Sequence, residues 1–171
     1  KELGGYIKLQ NKRVSLTMDV GSTPNLNHTK DYQSGALSFE VISSGKKLIS
    51  NCGYYKKRNS KLNHLSKSSA TQNTLVIDDN SSCKFINIDK SWMVKKGLKI
   101  IKKNSVFEKN YWKITASHDG YLKKYNSIHE REIEFYTDNM TFVGIDRIIK
   151  KKINHNYKFD IRFHVEPGVK L

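Results

Sequence analysis

Apolar and polar residues alternate with a period of two along most of the chain, the spacing that turns one face of a strand toward a core. Tyr6, Ile7 and Leu9 precede a turn at Gln10-Asn11-Lys12, and Val14, Leu16, Met18 and Val20 follow it, which predicts a hairpin over residues 5–20. Residues 21–32 are rich in Ser, Thr, Asn, Gly and Pro, the composition of a long connecting loop. Leu37, Phe39 and Val41 then share one face of a strand over 36–42. Ser43-Ser44-Gly45 supplies turn chemistry, and Leu48 and Ile49 lie in a returning strand over 47–52.

Residues 53–71, loaded with Lys, Asn and Ser, form the most polar stretch and are expected to be a loop. A short strand over 73–77 and a turn at Asp78-Asp79-Asn80-Ser81 follow. Further strands are expected over 84–88, 98–102, 111–117, 120–125, 128–136, 140–149 and 157–165, the last with Phe159, Ile161, Phe163 and Val165 on one face. Many short strands with regular turn signals, and no window of persuasive helical period, predict an all-β, antiparallel two-sheet β-sandwich.

At 171 residues the chain can bury one core without disulfide staples or a structural metal, so a single domain over 1–171 is expected. It opens at Lys1 with no Met, enters strand patterning almost at once, and stops where Pro167-Gly168-Val169-Lys170-Leu171 begins another; a piece of a longer protein is the expectation. No apolar run approaches the roughly 18 residues that span a bilayer. Cys52 and Cys83 have no zinc-like spacing and neither demand nor exclude a disulfide; two buried free thiols are expected. Compartment stays open between a bacterial periplasm and cytoplasm.

Lys and Arg total 31 against 16 acidic residues, a formal net charge of +15. Such a field attracts polyanions without choosing among acidic polysaccharide, nucleic acid and anionic lipid. Only Arg13, Arg58, Arg131, Arg147 and Arg162 are arginines, and the Lys, Asn and Ile bias arises as readily from an AT-rich genome as from a selected basic face. No helix-turn-helix, RRM-like aromatic motif or zinc finger can be made from the sequence, so no specific nucleic-acid partner is expected.

Three ordered stretches resemble the C-terminal sheet domain of heparinase II/III-like polysaccharide lyases: Ser34-Gly35-Ala36-Leu37-Ser38-Phe39-Glu40, Leu48 through Gly53, and Ser69-Ala70-Thr71-Gln72-Asn73-Thr74-Leu75. The family pattern runs roughly HAD-x-LSFEL, a hairpin to a D-x-G turn, then S-x-A-x-H-N-T. Ala116 to Tyr121 and Arg162 to Val169 are similar to its later strands. The resemblance implies a parent enzyme with an N-terminal helical toroid, acting by β-elimination on uronic-acid polysaccharides. A base removes the proton alpha to the carboxylate, a neighbour neutralises that carboxylate, and an acid protonates the departing oxygen.

The resemblance also implies a zinc site from the first His, the Asp and the later His of those motifs. Here Gln33, Asn51 and Gln72 stand at these positions, and neutral amides are poor zinc donors, so no cofactor is expected. Mutual hydrogen bonds among the three amides are expected to keep the local geometry. An upstream family His near that motif is replaced by Asp31, with His28 in the same loop; these two are the weak catalytic candidates.

Apart from the resemblance, Tyr54-Tyr55 followed by Lys56-Lys57-Arg58 joins aromatic surface to dense positive charge and is the candidate binding segment for acidic polysaccharide. Trp92, Trp112 and Tyr111 could also stack on sugar, though packing is the commoner use of such residues in a β domain. His118-Asp119 and His129-Glu130 are sequence neighbours, which in a strand point to opposite faces; turn capping is expected for the former. His164 and Glu166 share a face, and a structural His is expected there.

Overall fold

The computed structural model describes residues 1–57, 60–150 and 156–170. Its strands run β1 (Glu2–Leu3), β2 (Tyr6–Gln10), β3 (Val14–Asp19), β4 (Phe39–Ser43), β5 (Lys46–Ile49), β6 (Leu75–Ile77), β7 (Lys84–Ile88), β8 (Ser91–Lys96), β9 (Ile100–Phe107), β10 (Tyr111–His118), β11 (Ser127–Tyr136), β12 (Thr141–Lys150) and β13 (Phe159–Ile161). β1 to β5 make a five-stranded sheet in chain order, and β12-β11-β10-β9 a four-stranded one; β13 pairs with β6 and β7 with β8. Every pairing is antiparallel.

The alternation in the sequence explains why the two large sheets face each other. Register places Leu9 opposite Leu16 and Leu16 opposite Val41, so one face of the five-stranded sheet is continuous hydrocarbon. It meets Trp112, Ile114, Ile133 and Phe135 of the four-stranded sheet in one core cluster. Burying each such side chain stabilises the fold by about 1.5–3 kcal/mol, enough collectively to hold the layers with both cysteines free.

The inner face of the four-stranded sheet changes character along its strands. At one end Trp112 meets Phe135 edge-on and Phe135 stacks on Phe142; two inward-facing pairs further on, Ala116 lies opposite Arg131, and Arg131 opposite Asp146. The outer face is a charged ladder, with Lys113 Nζ 2.7 Å from Glu132 Oε2 and Arg147 Nη1 3.3 Å from Glu130 Oε1.

Several elements differ from the sequence expectation. The loop over 53–71 contains a helix, α1 (Lys61–Ser66), started by Ser60, whose Oγ accepts the Asn63 N–H at 3.0 Å. Six residues are too few for a helical period to show. Residues 120–125, expected as a strand, form the helical turn α2 (Leu122–Tyr125), closed by Asn126 at φ 49°. β8 was not expected: its hairpin to β7 turns on Asp89 and Lys90, both at positive φ, without the usual Asn-Gly signal. β13 keeps three residues of the long strand expected over 157–165, and Phe159, Ile161 and Phe163 are exposed. Cys83 is buried as expected, but Cys52 is exposed because it lies in the loop that leaves β5.

Candidate functional site

Residues alternating with the core positions of the five-stranded sheet must point away from the core. Tyr6, Thr17, Asp19 and Glu40 do so, and with Asp31, Gln33, Gly35, Ser38, Asn51 and Gln72 they line a cavity of about 410 Å³. Strands supply its floor, and the segments 31–35, 51–53 and 72 its walls. Gly35 sits close against this wall: a Cβ there would lie 3.2 Å from both Gln72 Oε1 and Ser38 Oγ, so those side chains would have to give by a few tenths of an ångström.

Local hydrogen bonds explain why the motif residues converge. Asn51 accepts the Asn73 N–H through Oδ1 at 2.7 Å and donates to Ser38 Oγ at 3.2 Å, while its own N–H reaches Glu40 Oε1 at 3.0 Å. Asn73, fully buried, donates from Nδ2 to the Phe39 carbonyl at 3.0 Å, and Thr74 Oγ1 donates to the Ala36 carbonyl at 2.9 Å. Leu37 adopts φ 62° and is fixed by an N–H bond to the Asp19 carbonyl at 2.9 Å.

The three amides face one cavity but do not bond to one another, contrary to expectation. Gln33 Nε2 donates to the Gly53 and Ser66 carbonyls at 3.0 and 2.8 Å, and Gln72 Nε2 to Thr71 Oγ1 at 3.2 Å. Backbone and hydroxyl acceptors in the walls are nearer, so each amide anchors its own segment.

Burial pushes the Asp19 carboxyl up to about 7, against an opposing pull from the Gly21 N–H, 2.9 Å from Oδ1. Asp19, then burial, then Glu40 raise the Tyr6 phenol, and burial raises that of Tyr32. Nothing in the sequence distinguished Asp19 from other strand-end acids; the backbone of Leu37 and Ser38 pairs with it on one side and the Gly21 N–H meets its carboxyl on the other.

The structure places the candidate residues unevenly. Asp31 lines the cavity, whereas His28 sits exposed on a short 3-10 turn outside it. Tyr54 is half-buried and engaged: its hydroxyl donates to Asp31 Oδ1 at 2.9 Å and accepts from Asn63 Nδ2 at 3.1 Å. Tyr55, Lys56 and Lys57 are exposed beside it, and Arg58 lies outside the described residues. Trp92 stacks on His64 with ring centroids 3.8 Å apart, Trp112 is core, and Tyr111 donates to Glu134 at 2.6 Å, which leaves Tyr55 as the open aromatic surface of that set.

Comparison with known proteins bears on the cavity. The family model described as heparinase II/III-like, C-terminal, matches residues 2–171. The chain belongs to that family. Among solved structures it is similar to a heparinase III, the BT4657 gene product, at 15% identity and TM-score 0.67, covering 98% of this chain and 25% of that one. It is also similar to the heparan sulfate lyase HepC from Pedobacter heparinus, at 18% identity and TM-score 0.61, covering 86% and 21%. At such identities the likeness shows the fold; the chain spans about a quarter of those proteins' length. No curated protein matches it.

As a heparinase II/III-like chain it raises the question of zinc. Gln33, Asn51 and Gln72 supply neutral amides without charge to offset a divalent ion, and the Asn51 carbonyl oxygen already accepts a backbone N–H. Among the described residues no group of three or more His, Cys, Asp or Glu is arranged to hold a metal. The residues present do not fit the family ion.

One buried constellation escaped the sequence. His118 and His129 are cross-strand partners, with His118 Nε2 3.2 Å from His129 Nδ1, and His129 Nε2 2.6 Å from Asp146 Oδ1. His118 Nδ1 accepts the Gly120 N–H at 3.0 Å, as capping requires, so Nε2 carries the proton passed toward His129. Arg131 grips Asp146 through Nε and Nη2 at 2.8 and 2.9 Å, and donates from Nη1 to the Leu37 and Asn73 carbonyls behind the cavity wall. Desolvation would raise the Asp146 carboxyl, but hydrogen bonds from His129 and Arg131 outweigh it and hold the group at about 2. His164 is tied to Asn73: its backbone N–H and Nδ1 both meet Asn73 Oδ1.

Proposed function

We propose that this chain is the sheet module of a polysaccharide lyase acting by β-elimination on uronic-acid polysaccharides, with a helical domain of the same parent chain supplying the other catalytic groups. The family match over residues 2–171 carries the reading. Asp31 stands where the family pattern has a His, at the cavity edge, with a phenol hydrogen-bonded to it; such a carboxylate can hold or move a proton. The amide set at 33, 51 and 72 supports a cavity that works without zinc. Incubation of the full-length parent with several uronate polymers should release unsaturated product, read by its ultraviolet absorbance. The rate should survive chelation and fall by about 10²- to 10⁴-fold in Asp31→Ala, the scale of a lost proton-transfer group. Absence of product on every acidic glycan would refute the reading.

A second reading, a non-catalytic module for acidic glycans, is favoured by one observation: Tyr55, 43% exposed, stands beside exposed Lys56 and Lys57. Affinity for acidic glycan should then drop when both lysines become Ala; unchanged affinity would remove this reading.

A further inference from the structure

The buried network of His118, His129, Asp146 and Arg131 takes no part in the proposed reaction, yet it reaches the cavity wall. Its hydrogen bonds run in one direction: the Gly120 N–H donates to His118 Nδ1 at 3.0 Å, His118 Nε2 faces His129 Nδ1 at 3.2 Å, and His129 Nε2 meets Asp146 Oδ1 at 2.6 Å. A backbone amide only donates and a carboxylate only accepts, so both ends are fixed and all four ring nitrogens are committed with each imidazole neutral. A further proton has no acceptor. On His118 Nδ1 it confronts the Gly120 N–H; on His129 Nδ1 it confronts the His118 Nε2–H. Either way one link must break, and with both rings buried the loss is not made good by water.

The far end of the network carries that break to the cavity. Asp146 holds Arg131 through Nε and Nη2, and Arg131 Nη1 donates to the carbonyls of Leu37 and Asn73, each one residue from a cavity-lining side chain, Ser38 and Gln72. Leu37 sits at φ 62°, unfavourable for a leucine, and is kept there by its N–H bond to the Asp19 carbonyl and by Arg131 on its own carbonyl. A strained conformation persists only while its surroundings over-determine it, so this segment moves when one tie slackens.

Other titratable groups near the pair do not act this way. Tyr121, its ring 5.7 Å from that of His118, and Cys83 both have their pKa raised by burial and keep their protons in acid. Asp119 is turned to the Lys99 N–H at 2.6 Å, and Glu130 and Arg147 pair on the outer face. His164 Nδ1 already donates to Asn73 Oδ1, so a proton on its other nitrogen breaks nothing there.

We propose that the His118–His129 link is an acid-sensitive latch: at neutral pH it holds positions 37–38 and 72–73 in the cavity wall, and proton uptake releases them while the two sheets stay packed. The inference concerns the wall and stands whatever the cavity binds. Once the wall is open the rings titrate near the ordinary value of about 6.5, so each pH unit below it favours the open form about tenfold.

Native-state hydrogen exchange on the chain tests this, with protection factors followed from about pH 7.5 to 5. The Leu37 and Asn73 amides, bonded to the Asp19 carbonyl and Asn51 Oδ1, should lose at least about tenfold protection as pH falls, while the core amides of Ile114 and Phe135 keep theirs. Direction separates the latch from Asp19: that carboxyl takes up its proton near 7 with a gain in stability, which would raise protection in acid. His118→Asn, which keeps an acceptor for the Gly120 N–H, combined with His129→Gln, which keeps a donor for Asp146, should abolish the acid-dependent loss. The titration of the unmodified chain is decisive by itself where the double variant fails to fold. Unchanged protection at 37 and 73, an equal loss at Ile114 and Phe135, or a loss that survives in the folded double variant would overturn the proposal.

Discussion

Asp19 shows how a single side chain is altered by what folds over it. Its raised carboxyl pKa means that the folded state prefers the proton: the stabilisation is fully present below the unfolded value near 4 and is lost as pH rises through about 7. Asp19→Asn removes that loss while keeping an oxygen for the Gly21 N–H. Its unfolding free energy, measured by denaturant titration, should therefore gain on the parent between pH 5 and pH 8, by roughly 2 to 4 kcal/mol at the alkaline end. A difference independent of pH would contradict this account. The convergence of motif positions was legible in the sequence: Gln33, Asn51 and Gln72 do line one cavity. Asp19 and Arg131 were not, because an acid at a strand end acquires meaning from the segment at 37–38 that folds against it, and an arginine in a charged strand from its cross-strand partner Asp146 and the carbonyls of Leu37 and Asn73.

At the scale of elements, strands with strong alternation were legible, as in β2, β3 and β11, while the connections between them were not. Reading 120–125 as a strand concealed the turn that sets the β10–β11 register, and with it the opposition of His118 and His129. That turn is tightly seated: a Cβ on Gly120 would lie 2.7 Å from the Ser82 carbonyl oxygen. Gly120→Ala should lower stability by about 1–3 kcal/mol, measurable by urea unfolding, since backbone must move. Burial lowers the pKa of both histidines, with charge from His129 and Arg131 adding at His118 and the Asp146 pull opposing at His129. The pair folds neutral, so their stabilisation is present above about pH 6.5 and is lost as acid protonates the unfolded chain. His129→Gln should flatten the fall in stability between pH 7 and 5 relative to the parent; an unchanged slope would exclude His129 as a source.

At the scale of the whole molecule, the basic exterior and the carboxyl-lined cavity make opposite demands. Association with an acidic polymer through the exterior should weaken steeply as salt rises from about 50 to 200 mM, since released counterions drive it. The sandwich was legible because its layers rest on a repeated pattern, and the exterior charge because it is a sum; the cavity's opposite sign required knowing which few acids it gathers. The cavity also lies on the side of its sheet turned away from the hydrocarbon between the layers. Positions 33, 51 and 72 therefore hold the walls of the cavity through hydrogen bonds without contributing side chains to the hydrocarbon between the layers, so ligand chemistry and layer packing rest on separate sets of residues.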